Sequence, residues 1–136
     1  MTVIVDASVA IKWVLEEDGS AEARSLLASE VLAAPDLMYV ETANILWLRV
    51  RRGFVPQADA AAARCGRLAI VRTGAASMAM NAAAHATACE LGQTVYDSLY
   101  LTVAIAEKAV FLTADKAFVR AAETHPVYGA AVQLLR

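Results

Sequence analysis

Short apolar runs rich in β-branched residues alternate along the chain with longer stretches whose apolar positions recur every three or four residues. Runs of the first kind read as strands buried on both faces, those of the second as helices packed against a sheet. Residues 2–5 form the clearest strand and are followed by a helical pattern over 7–15. A helix over 20–29 opens on Ser20 as its N-cap, with Glu22 in the first turn, and a weak strand at 31–34 is stopped by Pro35. Asp36 is placed to cap a helix that runs to Arg52 and ends at Gly53, and Pro56 begins another that continues through residue 65. Residues 68–71 read as a strand, 75–91 as an Ala-rich helix closed by Gly92, 94–96 as a short extended segment and 98–108 as a helix. A clear strand at 110–113, a helix at 116–123 and a last strand at 132–135 complete the chain. Strands separated by helices predict an α/β fold: three α/β/α layers around a mainly parallel sheet of about five strands, in a single domain over residues 1–136.

Composition changes this picture little. The chain is 59% hydrophobic, which excludes disorder, but 31 of its 136 residues are alanine. The longest uncharged stretch, 73–89, carries Thr73, Gly74, Ser77, Asn81, His85 and Thr87 and is too polar to span a bilayer. Asp6 interrupts the amino-terminal apolar run and no basic segment precedes it, so no signal peptide is expected. Only Cys65 and Cys89 are present, both in helical stretches, so we expect no disulfide framework and a cytoplasmic location. A net charge of −2 gives no general attraction to nucleic acid, and any such contact must rest on a local patch.

In an open parallel sheet, function sits beyond the carboxyl ends of the strands. That rule separates the 14 acids. Asp6 ends the first strand, Asp115 follows strand 110–113, and Asp97 follows segment 94–96 and opens a helix, which places all three on one rim. Glu41 lies within an apolar helix on a face shared with Leu37, Asn44, Ile45 and Leu48, where a carboxylate needs a partner. Asp6, Asp97 and Asp115 are equally well placed as helix N-caps. If the four converge, their mutual repulsion calls for a counter-charge, and no Lys or Arg adjoins Asp6 or Asp97; Lys116 alone adjoins Asp115. All-oxygen donors suit Mg²⁺ or Mn²⁺, whereas His85 and His125 show no zinc-ligand spacing. Such an ion polarises a phosphoryl oxygen and activates water, the chemistry of phosphodiester hydrolysis. Ser8, Thr113 and Asn44 accompany the acids as candidate supports, with backbone hydrogen bonding at a strand end as the alternative for Ser8 and Thr113.

The segments Val5-Asp6-Ala7-Ser8-Val9-Ala10-Ile11-Lys12-Trp13, Glu41-Thr42-Ala43-Asn44, Tyr96-Asp97-Ser98-Leu99-Tyr100-Leu101 and Leu112-Thr113-Ala114-Asp115 together resemble the PIN-domain family. Within it, they are most similar to the VapC-type ribonuclease toxins of bacterial toxin–antitoxin pairs. The resemblance implies an endoribonuclease dependent on Mg²⁺ or Mn²⁺, with Asp6, Glu41, Asp97 and Asp115 as the acidic quartet. It also implies Asp6, Asp97 and Asp115 as metal ligands, Ser8 and Thr113 as supporting residues, and products with a 5′-phosphate and a 3′-hydroxyl. The partners it implies are an RNA substrate, a VapB-type antitoxin whose tail reaches the acidic pocket, a homodimer and a higher toxin–antitoxin assembly. Residues 116–118 carry no additional acid, unlike some family members, so the resemblance does not supply a second metal site.

Lys12, Lys116 and Arg120 lie near the acids in sequence and are candidates for contacts to RNA phosphates. Arg49, Arg51 and Arg52 read as favourable charges at a helix C-terminus. Trp13 and Trp47 read as core residues, with base stacking or antitoxin contact as the alternative. A haloacid-dehalogenase-like phosphotransferase needs a second Asp where Ser8 stands. A phospho-receiver signalling domain needs an acidic pair after the first strand and an acceptor Asp after the third, and neither is present. A PIN-fold binding protein without catalysis is the other alternative, and the intact quartet argues against it.

Overall fold

Strand β1 (Thr2–Val5) occupies the centre of the sheet because its β-branched side chains can be buried on both faces. It pairs in parallel with β2 (Val31–Pro35) on one side and β4 (Val110–Thr113) on the other. The short strands β3 (Arg72–Gly74) and β5 (Val132–Leu134) form the edges, giving the order β3-β2-β1-β4-β5 with every pairing parallel. The computed structural model describes residues 1–136 apart from the side chain of Cys65, and the reading of that thiol therefore lies outside the described residues. Cys89 is exposed.

The helices are α1 (Ala7–Val14), α2 (Ser20–Ser29), α3 (Leu37–Arg51), α4 (Gln57–Arg67), α5 (Met78–Leu91), α6 (Val95–Ala106) and α7 (Lys116–Ala122). Right-handed crossovers put α1 to α4 on one face of the sheet and α5 to α7 on the other, the three layers expected. None of the described helices is long and apolar enough to cross a membrane. The core includes Ile4, Val5, Leu101 and Trp13, whose indole Nε1 donates to Ala23 O at 2.8 Å. On the opposite face, Tyr100 stacks on Phe111 at 5.6 Å, and Phe111 meets Phe118 edge-on at 5.6 Å. Gly53 and Gly92, at φ 76° and 64°, end α3 and α5 as their positions imply.

Four readings need correction. Residues 68–71 are not a strand: Leu68–Ile70 is a 3-10 helix, and the strand comes next as β3. Leu68 and Val71 are buried three residues apart while Ala69 and Ile70 are exposed, a helical spacing. Residues 94–96 are not extended either, because Thr94 caps α6 by accepting Asp97 N at 3.1 Å. Gly19, not Ser20, is the N-cap of α2, and Ser20 Oγ instead donates to Leu15 O and accepts Glu17 N. Asp36 precedes α3 but makes no side-chain cap.

The order of the strands has a functional consequence. From β1 the chain moves to one side of the sheet, and β4 lies on β1's other side, so a crevice opens where β1 and β4 end. Asp6 and Asp115 stand at those two ends.

Candidate active site

The ends of β1 and β4 are stitched together through Asp6. Its Oδ1 accepts Ser8 Oγ at 2.5 Å and Val9 N at 3.2 Å, and its Oδ2 accepts Thr113 Oγ1 at 2.6 Å. Ser8 Oγ also accepts Ala114 N at 2.9 Å, and Thr113 Oγ1 accepts Asp115 N at 3.1 Å. Ser8 and Thr113 therefore support both the acid and the strand end, so the two readings offered for them hold at once. Asp6 is also the N-cap of α1. Burial outweighs these hydrogen bonds and pushes its carboxyl up to about 6, with a further contribution from the charge of Asp97.

The other acids arrive from three helix N-terminal regions. Asp115 caps α7, its Oδ1 accepting Ala117 N at 3.0 Å and Phe118 N at 3.1 Å. Asp97 lies in the first turn of α6, where its Oδ2 accepts Thr94 Oγ1 at 3.0 Å. Glu41 projects from α3 and accepts Tyr100 Oη at 2.5 Å on its Oε1. Burial raises the proton affinity of both Asp97 and Glu41, and each is raised further by a neighbouring carboxylate: Asp115 for Asp97, and Asp97 for Glu41. Asp97 is thus the hub of the quartet: its charge raises Asp6 and Glu41, and it is itself raised by Asp115.

No Lys or Arg forms an ion pair with any of the four among the described residues. Asp115 Oδ2, Asp97 Oδ1 and Glu41 Oε2 have no protein donor among the described residues. The donor set is oxygen only, which fits a hard divalent cation in chemistry. No three acidic, His or Cys side chains among the described residues are grouped so that they could hold a metal ion, the four acids included.

The accompanying residues divide. Lys116 and Arg120 line a groove with Leu112, Glu123 and Arg136, and none of the four acids is among its lining residues. Lys12 is turned into a separate ion pair with Glu17 at 3.0 Å and also donates to Asp18 O. Asn44 is exposed and makes no side-chain hydrogen bond among the described residues. Trp13 is core, as read, but Trp47 is 54% exposed, with the Arg51 guanidinium 5.3 Å from its ring centroid. Arg49 and Arg51 occupy the last turn of α3, as read. His85 and His125 serve elsewhere, near Cys89 and Glu90. The residue that sequence reasoning passed over is Tyr100. Its signal was its position three residues after Asp97, on the same face of one helix.

Asp6 and Asp115 at the ends of β1 and β4, with Asp97 and Glu41 near enough to feel one another's charge and no basic partner, define an acidic site on a parallel α/β sheet. The PIN domain family matches residues 3–124, and the chain belongs to that family. Among solved structures, PAE2754 from Pyrobaculum aerophilum superposes with a TM-score of 0.78 at 22% identity, covering 99% of this chain and 90% of that one. VapC20 from Mycobacterium tuberculosis, described as a sarcin-ricin loop cleaving toxin, gives 0.69 at 20% identity over 88% of this chain and 94% of that one. VapBC2 from Rickettsia felis, bound to a DNA fragment from its promoter, gives 0.70 at 14% identity over the whole of both chains. At these identities the likeness is one of fold. No curated protein matches the chain.

Proposed function

We propose that this PIN-family chain is a Mg²⁺- or Mn²⁺-dependent endoribonuclease, the cytoplasmic toxin of a VapBC-type toxin–antitoxin pair. The observation that carries the reading is the acidic quartet itself: Asp97 raises Asp6 and Glu41 and is raised by Asp115, with no Lys or Arg paired to any of them. Such crowding destabilises the fold unless a cation is part of the working state. Support for the biological class comes from the fold's likeness to VapC20 and to VapBC2.

In this reading Asp6, Asp97 and Asp115 hold the ion. When bound, it polarises the scissile phosphodiester and lowers the pKa of water. Ser8 and Thr113 fix Asp6 by donating to both of its oxygens. Glu41, with its raised proton affinity, accepts the proton of the attacking water at Oε2, and the products carry a 5′-phosphate and a 3′-hydroxyl. Lys116 and Arg120, which follow Asp115 in the chain, receive phosphates of the strand. Lys12 is committed to Glu17 and takes no part. The antitoxin surface is the outer side of α3 and the turn after it, where Val40, Trp47 and Phe54 are exposed, beside a small pocket lined by Ala43, Leu46, Val50 and Ala60. A homodimer, assembled further with antitoxin, is the working form.

The test is cleavage of RNA by the purified chain in Mg²⁺ or Mn²⁺, with EDTA and Asp97→Asn as controls. Cleavage that is lost in both controls is expected. Equal cleavage in EDTA, or a fully active Asp97→Asn, overturns the reading.

A further inference from the structure

Tyr100 is an unusual residue to find against the acidic crevice. Its ring is fully buried, stacked on Phe111 with an interplanar angle of 13°, while Phe111 is itself held edge-on by Phe118. Such packing leaves the ring no alternative rotamer, so the phenol oxygen has a fixed position. Its one hydrogen-bond partner is Glu41 Oε1, at 2.5 Å. No other side-chain hydrogen bond joins α3 to α6 among the described residues.

We infer that Tyr100 is a positioning residue for Glu41, a clamp that holds one carboxylate oxygen and thereby aims the other into the crevice. The role rests on the nuclease reading of the site. A glutamate on an exposed helix face has three rotatable side-chain bonds and spends much of its time in solvent. Here Oε1 is held by a rigid donor, so Oε2 retains a defined direction without spending a ligand or a positive charge. A lysine or arginine in the same place would fix the carboxylate equally well and would also neutralise it, competing with a cation. A phenol avoids that conflict, because burial and the adjacent Glu41 carboxylate hold it firmly in its neutral, donating form. The helix that carries the hub acid Asp97 thus carries, one turn later, the device that aligns the acid on α3.

The test compares Tyr100→Phe, Glu41→Gln and the double variant. Phe retains the stack on Phe111 and deletes only the donor oxygen. A hydrogen bond to a charged group is worth about 1.5–3 kcal/mol, so kcat for RNA cleavage is expected to fall roughly ten- to a hundredfold, with KM nearly unchanged. If Tyr100 acts through Glu41, the double variant is no slower than Glu41→Gln alone, and the same cycle on thermal unfolding in EDTA is also non-additive. A cleaving wild type whose Tyr100→Phe keeps full kcat, or whose two losses simply multiply, overturns the role while leaving the nuclease reading intact. A wild type that does not cleave overturns that reading and this role together.

Discussion

Glu17 and Asp6 lie at opposite ends of α1, and the protein treats their charges in opposite ways. Glu17 receives Lys12 Nζ at 3.0 Å on one carboxylate oxygen and Arg49 Nη2 at 2.9 Å on the other. Asp6 is more deeply buried, yet it receives two hydroxyls and one backbone N–H and no cation at all. The chain therefore has basic residues close by in sequence and uses them, but not at the rim. Lys12 is six residues from Asp6 and points to Glu17. The difference teaches that the rim's charge is left uncompensated by the protein itself, the arrangement expected where the compensating ion comes from outside. Glu17 closes a corner between α1, α2 and α3, whereas no Lys or Arg among the described residues pairs with Asp6, Glu41, Asp97 or Asp115.

Breaking the support under Asp6 gives the largest expected effect. Thr113→Val preserves shape at a fully buried position but removes the donor to Asp6 Oδ2 and the acceptor of Asp115 N. Divalent-ion affinity measured by calorimetry should fall about 10–100-fold, as for other partners that orient ligands, while the protein stays folded by circular dichroism.

The pH dependence of stability comes next. In the metal-free protein Asp6 titrates near 6, above its ordinary value of 3.8, and Asp97 and Glu41 are raised in the same direction. For a raised carboxyl the unfolded chain releases its proton first as pH climbs. Stability is thus full below about pH 4 for this group and is lost as pH rises toward and through 6. For fully buried Asp6 alone the loss is about 3 kcal/mol. Melting in EDTA should therefore show a lower midpoint at pH 7.5 than at pH 5, and Mn²⁺ at pH 7.5 should restore it.

The smallest effect is expected at that corner. Glu17→Gln removes the partner of Lys12 and Arg49, in a cluster that is partly open to solvent. It should cost about 1 kcal/mol in chemical denaturation and leave RNA cleavage unchanged. A large loss of cleavage would erase the distinction between the two regions.

Much of the fold could be read from the chain because its inner strands are written in β-branched runs and its helices end at Gly53 and Gly92. The misread parts lie where that code is weak. β3 is an exposed edge strand of three residues with little to bury, so the apolar Leu68 and Val71 beside it looked more like strand than it does. Thr94-Val95-Tyr96 has β-propensity, but the Thr94 cap overrides it. Asp6 and Asp115 stand out as candidates by their places after β1 and β4, and Glu41 by its apolar helix face, whereas Asp97 follows what reads as an extended segment and is instead the start of α6. Their hydroxyl supports were half legible, since Ser8 and Thr113 serve as strand-end bonds and as carboxylate donors. What could not be read was tertiary pairing: that Lys12 turns to Glu17, that Trp47 faces solvent, and that Glu41's partner is a tyrosine from the far side of the sheet. Those outcomes depend on distances between elements, which local pattern does not encode.

The central claim is that the rim is built for an external divalent cation, and Asp97 is its hub. Calorimetric titration of Mn²⁺ into the RNA-free protein at pH 7, beside Asp97→Asn, tests it most directly. The account predicts saturable binding in the wild type, and loss of that binding in Asp97→Asn. A wild type that binds no Mn²⁺, or an Asp97→Asn that binds it as tightly as wild type, would contradict it.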